Sequence, residues 1–316
     1  MKLLFLGTGA ATPSLTRNPP ATALQLEQRS EWWLFDCGEG TQHRVLQTSL
    51  SLPRLRRVFL THLHGDHCFG LPGVLSSRGL QGGGEADVYG PPGVKELVHA
   101  VLRVGSMHLN YPCGLHELEG GPVFEDDEYA VRAVPVAHAK DILSLAYIIG
   151  EKPRPGRFKV EEAQALGIPA GPLFGRLKRG EKIEWNGRVV DGAALVEPPR
   201  RGRKLVYVGD TSNASPVLEP GRGADLLVHE ATYSACEDAE KAVDYGHATA
   251  ADAGRLAKRM GARQLVLMHF SPRYDQQEPP AVTIADLVRE AEAEFEPGKV
   301  IAAADLMQVA IPRPED

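Results

Sequence analysis

Seven residues, Thr61-His62-Leu63-His64-Gly65-Asp66-His67, constrain this chain more than any other stretch. They follow Arg57-Val58-Phe59-Leu60, a short apolar run that reads as a buried strand. His62 and His64 stand two apart, so in an extended segment both side chains point to one side. Gly65 permits a sharp turn that swings Asp66 and His67 round beside them. Imidazole nitrogens with a carboxylate suit Zn²⁺, or, with more carboxylate character, Mn²⁺ or iron. One ion needs three such groups and a water, so four ligands within six residues point to two adjacent ions. An accidental polar loop after a strand seldom carries four ligands at this spacing.

The 316 residues are 43% hydrophobic and 24% charged, which suits one large or two small globular domains with ample core. Cys37, Cys68, Cys113 and Cys236 form no C-x-x-C pair, so reduced thiols and a cytoplasmic location are expected. Cys68 adjoins the metal motif but reads as core filler. No apolar run approaches the roughly 18 residues of a membrane helix. The apolar start of the chain breaks at Gly7-Thr8-Gly9 and reads as a first strand rather than a leader. Charge is unevenly spread. From Glu151 to Lys204 thirteen basic residues outnumber seven acidic ones, a local +6 in a chain of net −6. A basic segment on an acidic body is what local phosphate binding needs.

Periodicity predicts strands over 2–6, 21–27, 32–36, 87–90, 129–136, 144–149 and 226–229, with one final strand within 300–311. Helices are predicted over 41–48, 71–80, 91–104, 247–260 and 284–295. Residues 151–199 are rich in Pro, Gly and basic side chains. Only 160–166 there looks helical, and 183–190 reads as a hairpin about Asn186-Gly187. So long a weakly apolar segment reads as an arm inserted into a body of 1–150 and 200–316.

The His-x-His-x-Asp-His spacing resembles that of the metallo-β-lactamase superfamily. The resemblance implies an α/β fold, a four-layer αβ/βα sandwich, with metals where the two sheets meet at an edge and further ligands at strand ends. His138 follows the run 129–136, Asp210 follows 204–209, and His269 follows 264–268. By resemblance His62, His64 and His138 hold one ion, Asp66, His67 and His269 the other, and Asp210 bridges them. Two Zn²⁺ per subunit are expected, with Mn²⁺ or another divalent ion as the alternative. The superfamily motif by itself implies a hydrolase and leaves the substrate open.

Three further stretches narrow the choice. Residues 167–180, from Gly167-Ile168-Pro169 to Arg179-Gly180, look like the glycine-proline arm of the ribonuclease Z family, endonucleases that remove the 3′ trailer from precursor tRNA. There Gly171 and Pro172 would shape backbone against RNA, and Arg176, Lys178 and Arg179 would supply charge. His229-Glu230-Ala231-Thr232 matches that family's His-Glu-Ala-Thr motif, and Gly246-His247-Ala248-Thr249-Ala250 is similar to its Ala-His-Ser-Thr-Ala motif. The resemblance implies that His247, at a helix start, is the general acid for the trailer's departing 5′-oxygen, with Glu230 orienting it or a ligand. Asp66 would both ligate and accept the attacking water's proton, leaving a 3′-hydroxyl on the tRNA. Pro13-Ser14-Leu15-Thr16-Arg17-Asn18 aligns with the family's Pro-x-Lys-x-Arg-Asn loop, with Leu15 in the lysine position. Arg17 and Asn18 remain to bind the tRNA end, while rejection of tRNA already carrying CCA stays open. The family further implies a homodimer, one subunit's arm clamping tRNA for the other's site, and no membrane. The competing expectation is a small-molecule phosphodiesterase or lactonase of the same fold, which would not need a basic arm.

Overall fold

Side-chain alternation decides the layers. In β1 (Lys2–Gly7) Leu3 and Phe5 join one buried cluster and Leu4 and Leu6 another. The computed structural model describes residues 1–27, 29–276 and 281–314. β1 is followed by β2 (Ala21–Gln25), β3 (Trp32–Phe35), β4 (Leu55–Phe59), β5 (Ala86–Gly90) and β6 (Cys113–Glu117). A second set comprises β7 (Gly121–Glu125), β8 (Tyr129–Val136) and β9 (Ser144–Glu151). It continues, beyond a hairpin of β10 (Lys182–Trp185) and β11 (Arg188–Asp191), with β12 (Lys204–Tyr207), β13 (Leu226–Glu230), β14 (Leu265–Met268) and β15 (Val300–Ala302). β16 (Gln308–Ala310) ends the described strands. Two seven-stranded sheets result, in the orders β16-β1-β2-β3-β4-β5-β6 and β15-β14-β13-β12-β9-β8-β7.

Between the sheets lies one core of large side chains, among them Phe5, Trp33, Phe35 and Phe59 from the first and Tyr129, Tyr147, Tyr207 and Met268 from the second. Phe35 stacks on Tyr207 with centroids 4.7 Å apart, and the Tyr147 hydroxyl donates to the Leu60 carbonyl at 2.7 Å. The opposite faces are covered by helices. Leu71, Val74, Leu75, Val94 and Val98 pack on the first sheet; Ala253, Leu256, Ala257, Leu287 and Ala291 pack on the second. Sheets inside and helices outside make the four-layer sandwich.

Residues 151–202 form a compact unit of their own, separate from the unit of 1–150 with 203–316. It is not an irregular segment with one helix, as its composition suggested. A second helix, Pro172–Lys178, runs through the glycine-proline stretch with Pro172 in its first turn. Ala163, Ile168, Leu177, Ile183 and Leu195 form a small core within it. The hairpin of β10 and β11 turns on Asn186 and Gly187, both with positive φ. Within the larger unit, Gly150 pairs with Lys204 in the antiparallel β9–β12 ladder, so the two ends that flank the insert are neighbours.

Three further boundaries differ from the sequence pattern. The single strand expected within 300–311 is two, β15 and β16, which join different sheets. β6 and β7 lie where the sequence pattern predicts no strand. The helix expected over 247–260 is Ala250–Met260, because Thr249 caps it through a reciprocal box with Asp252. His247 therefore sits before the helix, just after Gly246, whose positive φ ends the helix Ala239–Tyr245.

Candidate metal centre

The ends of six strands deliver the site. His62 and His64 follow β4, Asp66 and His67 lie in the helical turn Gly65–Cys68, His138 follows β8, Asp210 follows β12, Glu230 ends β13, and His269 follows β14. β3 adds Asp36, which is buried and which a search for ligands in the sequence passes over. Asp36 and His269 both hold positive φ, 53° and 59°, a strained conformation for residues with a side chain.

The structure brings all seven expected ligands together. One set of atoms comes from His62, His64, His138 and Asp210, another from Asp66, His67 and His269. Asp210 divides them. Its Oδ2 lies 3.7 Å from His62 Nε2 and 4.0 Å from His138 Nε2; its Oδ1 lies 3.3 Å from His67 Nε2 and 3.2 Å from His269 Nε2. Asp66 Oδ2 lies 3.6 Å from His67 Nε2 and 3.5 Å from His269 Nε2, and accepts the Ala11 amide at 2.9 Å.

The donor set fits a pair of divalent cations. His62 Nε2 and His138 Nε2 both converge on His64 Nδ1, at 3.0 and 3.3 Å, and His67 Nε2 meets His269 Nε2 at 3.3 Å. Four of these five rings hold their remote nitrogen on a protein oxygen. His138 Nδ1 donates to the Gly246 carbonyl at 2.7 Å and His67 Nδ1 lies 3.0 Å from Asp36. His62 Nδ1 lies 3.1 Å from the Thr61 hydroxyl and His269 Nδ1 2.7 Å from that of Thr232. Nitrogen lone pairs that face one another need a cation between them. Asp210 Oδ1 is also buried with no hydrogen-bond donor.

Within the cluster, carboxylates and imidazoles set one another's charge. Burial opposes charge on Asp210, but His269 and His67 overcome it and hold the carboxyl well below the usual range. Burial likewise opposes charge on His67, and the Asp210 and Asp36 carboxylates drive its pKa well above the usual value. His62, buried and beside His67, is pushed well below it. Asp66 is lowered by His269 and His67 against the effect of burial.

His247 Nδ1 lies 3.2 Å from Glu230 Oε1 and 3.8 Å from Asp210 Oδ2, with the side chain 16% exposed. Burial lowers its pKa, but the Glu230 charge and hydrogen bond prevail and raise it to about 9. Glu230 is fully enclosed; its Oε1 also accepts the Thr211 amide at 2.6 Å, and its Oε2 accepts the Thr232 hydroxyl.

The remaining candidates lie elsewhere. Arg17 turns inward: its Nη1 donates to the Thr8 hydroxyl at 2.6 Å and the Ala303 carbonyl at 2.8 Å, over the Phe270 ring. Asn18 donates its side-chain amide to the Glu39 carbonyl at 2.7 Å, and Leu15 is fully exposed. In the separate unit Gly171 precedes the helix Pro172–Lys178. Arg176 and Arg179 at its end both pair with Glu181, at 2.8 Å each, and Lys178 is exposed beside them.

Comparison with known proteins follows the same lines. Residues 1–153 match the family model of the anti-Pycsar protein Apyc1, and residues 174–270 that of the beta-lactamase superfamily domain. A ribonuclease Z of Synechococcus sp. (strain WH7803) is 48% identical over 309 residues, 96% of this chain and 94% of that protein. The ribonuclease Z of Bacillus velezensis is 45% identical over 316 residues, 99% of this chain and 100% of that protein. The crystal structure of the short form of human tRNase Z superposes with a TM-score of 0.70 at 29% identity, covering 99% of this chain and 100% of that one. Relatives this similar, matched along almost their whole length, show that the chain belongs to the ribonuclease Z family.

Proposed function

We propose that this hydrolytic endonuclease removes the 3′ trailer from precursor tRNA at two zinc ions. His62, His64 and His138 would hold one, Asp66, His67 and His269 the other, with Asp210 between. The observation that carries the reading is the division of labour at Asp210, whose two oxygens face two different sets of histidines. When bound, such a pair lowers the pKa of a water and neutralises the charge of a phosphodiester.

The chain's own groups supply the rest. Asp66, kept ionised, accepts the attacking water's proton at the oxygen that the Ala11 amide orients. His247 keeps Nδ1–H on Glu230 and offers its other ring nitrogen, protonated at neutral pH, to the leaving oxygen. That oxygen is the tRNA's own 3′-oxygen. Protonating the trailer's 5′-oxygen, as the sequence reading had it, would leave a 3′-phosphate on the tRNA rather than a hydroxyl.

The basic unit 151–202 is read as the tRNA-binding arm, with Gly171, Pro172, Arg176, Lys178 and Arg179 along the phosphate ribbon. Arg17 and Asn18, held by the body, would shape the loop that receives the RNA end. A homodimer is part of this reading, as the resemblance implies. So is a cytoplasmic location. Among the described residues no helix is long and apolar enough to cross a membrane.

The test uses two labelled precursor tRNAs, one with CCA in the trailer and one without, each with and without chelator. A single chelator-sensitive cut leaving a 3′-hydroxyl is expected, and it must vanish in Asp66→Ala while tRNA binding persists. Hydrolysis of small phosphodiesters with neither tRNA cut would move the assignment to a small-molecule enzyme of this fold.

A further inference from the structure

Two hydrogen-bond chains of the same composition flank the cluster, one from each sheet. In the first, the Thr61 hydroxyl reaches both oxygens of buried Asp36, at 3.0 and 3.1 Å, and lies 3.1 Å from His62 Nδ1. In the second, the Thr232 hydroxyl donates to Glu230 Oε2 and lies 2.7 Å from His269 Nδ1. Each carboxylate also takes a second imidazole directly: Asp36 takes His67 Nδ1 at 3.0 Å, and Glu230 takes His247 Nδ1 at 3.2 Å.

Proton accounting fixes the direction of both chains. An ionised carboxylate has no proton to give, so the threonine hydroxyl must donate to it. A hydroxyl has one proton. Its oxygen can then only accept from the histidine, so Nδ1 must carry hydrogen, and in the neutral ring Nε2 is bare. In each chain the bare Nε2 is the atom turned toward the cluster.

We propose that Thr232 is a positioning residue that locks His269 in the Nδ1–H tautomer, and that Thr61 does the same for His62. The hydroxyl also sets the ring plane, because a 2.7 Å contact to a buried donor leaves little room for rotation. Glu230 thereby acts on two histidines at once, directly on His247 and through Thr232 on His269. The inserted hydroxyl extends one carboxylate to two rings. The ligand role of His269 rests on the metal-centre reading; the tautomer does not.

The test therefore starts without metal or turnover. Nitrogen-15 ring spectra of the metal-free protein, assigned by the loss of signals in His269→Gln and His62→Gln, should show both residues as Nδ1–H tautomers. A ring without hydrogen on Nδ1 at either position overturns the proposal for that residue, and needs no threonine variant to fold. Thr232→Val keeps the shape and removes the hydroxyl, whereas Thr232→Ser keeps the hydroxyl. Zinc affinity by chelator competition should fall about 10–100-fold in Thr232→Val and be restored by Thr232→Ser. An unchanged His269 tautomer and affinity in Thr232→Val, or an equal loss in Thr232→Ser, would sink the idea. Failure of tRNA cleavage with both tautomers intact would instead count against the function proposed above.

Discussion

His247 shows what a neighbour does to a side chain. Alone before a helix it is an ordinary polar residue; beside enclosed Glu230 it stays protonated up to about pH 9. His247→Ala should lower kcat on precursor tRNA about 10²–10⁴-fold and leave KM within a few-fold, read by single-turnover cleavage. A KM effect alone would make it a binding group. The seven expected ligands were legible because each is a polar residue at the end of an apolar run. Asp36 was not, since it reads only as the end of the strand over 32–36 and acts on His67 and Thr61 rather than on an ion. Nothing local marks Thr232 as the partner of His269, because the contact joins the ends of two strands.

At the scale of elements, close approach decides what a sequence tolerates. The helix Ala250–Met260 packs on Ile284–Glu294 through Gly254, where an added Cβ would lie 2.4 Å from the Ala291 carbonyl oxygen. Alanine is the better helix former by about 1 kcal/mol. Gly254→Ala should nonetheless destabilise by about 1–3 kcal/mol through overpacking, measured as a lower urea midpoint. A raised midpoint would mean the two helices can part. Element boundaries failed in the sequence where a residue carries two meanings. Pro172 reads as part of an extended glycine-proline stretch, yet a proline at the first helical position starts the helix Pro172–Lys178. Thr249 and Asp252 carried the signature of a capping box that would have placed the helix start correctly. The residues 300–311 have one apolar pattern, and only the tertiary fold divides them between two sheets.

For the whole molecule, Glu27 ties distant parts of the larger unit together. Its carboxylate pairs with the amino terminus at 2.8 Å, with buried Arg203 at 2.5 Å, and with Arg313. Partial burial opposes its charge, but Arg203 and the amino terminus lower its pKa from 4.5 to about 2. The folded value lies below the unfolded one, so the stabilisation is present above pH 4.5 and is lost as pH falls toward 2. Glu27→Gln should cost about 1 kcal/mol at pH 6, small because the group is half-exposed. The gap in melting temperature from the parent should close across that acid window. A gap that persists at pH 2 would assign the effect to packing.

The insert 151–202 leaves and re-enters the larger unit at Gly150 and Lys204, which face each other in one ladder. Replacing it with a two-residue Asn-Gly turn should therefore leave a folded body that hydrolyses small phosphodiesters and binds tRNA weakly. Loss of both activities would mean that the insert completes the catalytic unit. The same junction makes the insert's length nearly irrelevant to the stability of the rest, since each doubling of a closed loop adds only about 0.6 kcal/mol. At that junction the body meets the insert as two neighbouring strand ends, the geometry at which a folded module with adjacent termini can be exchanged.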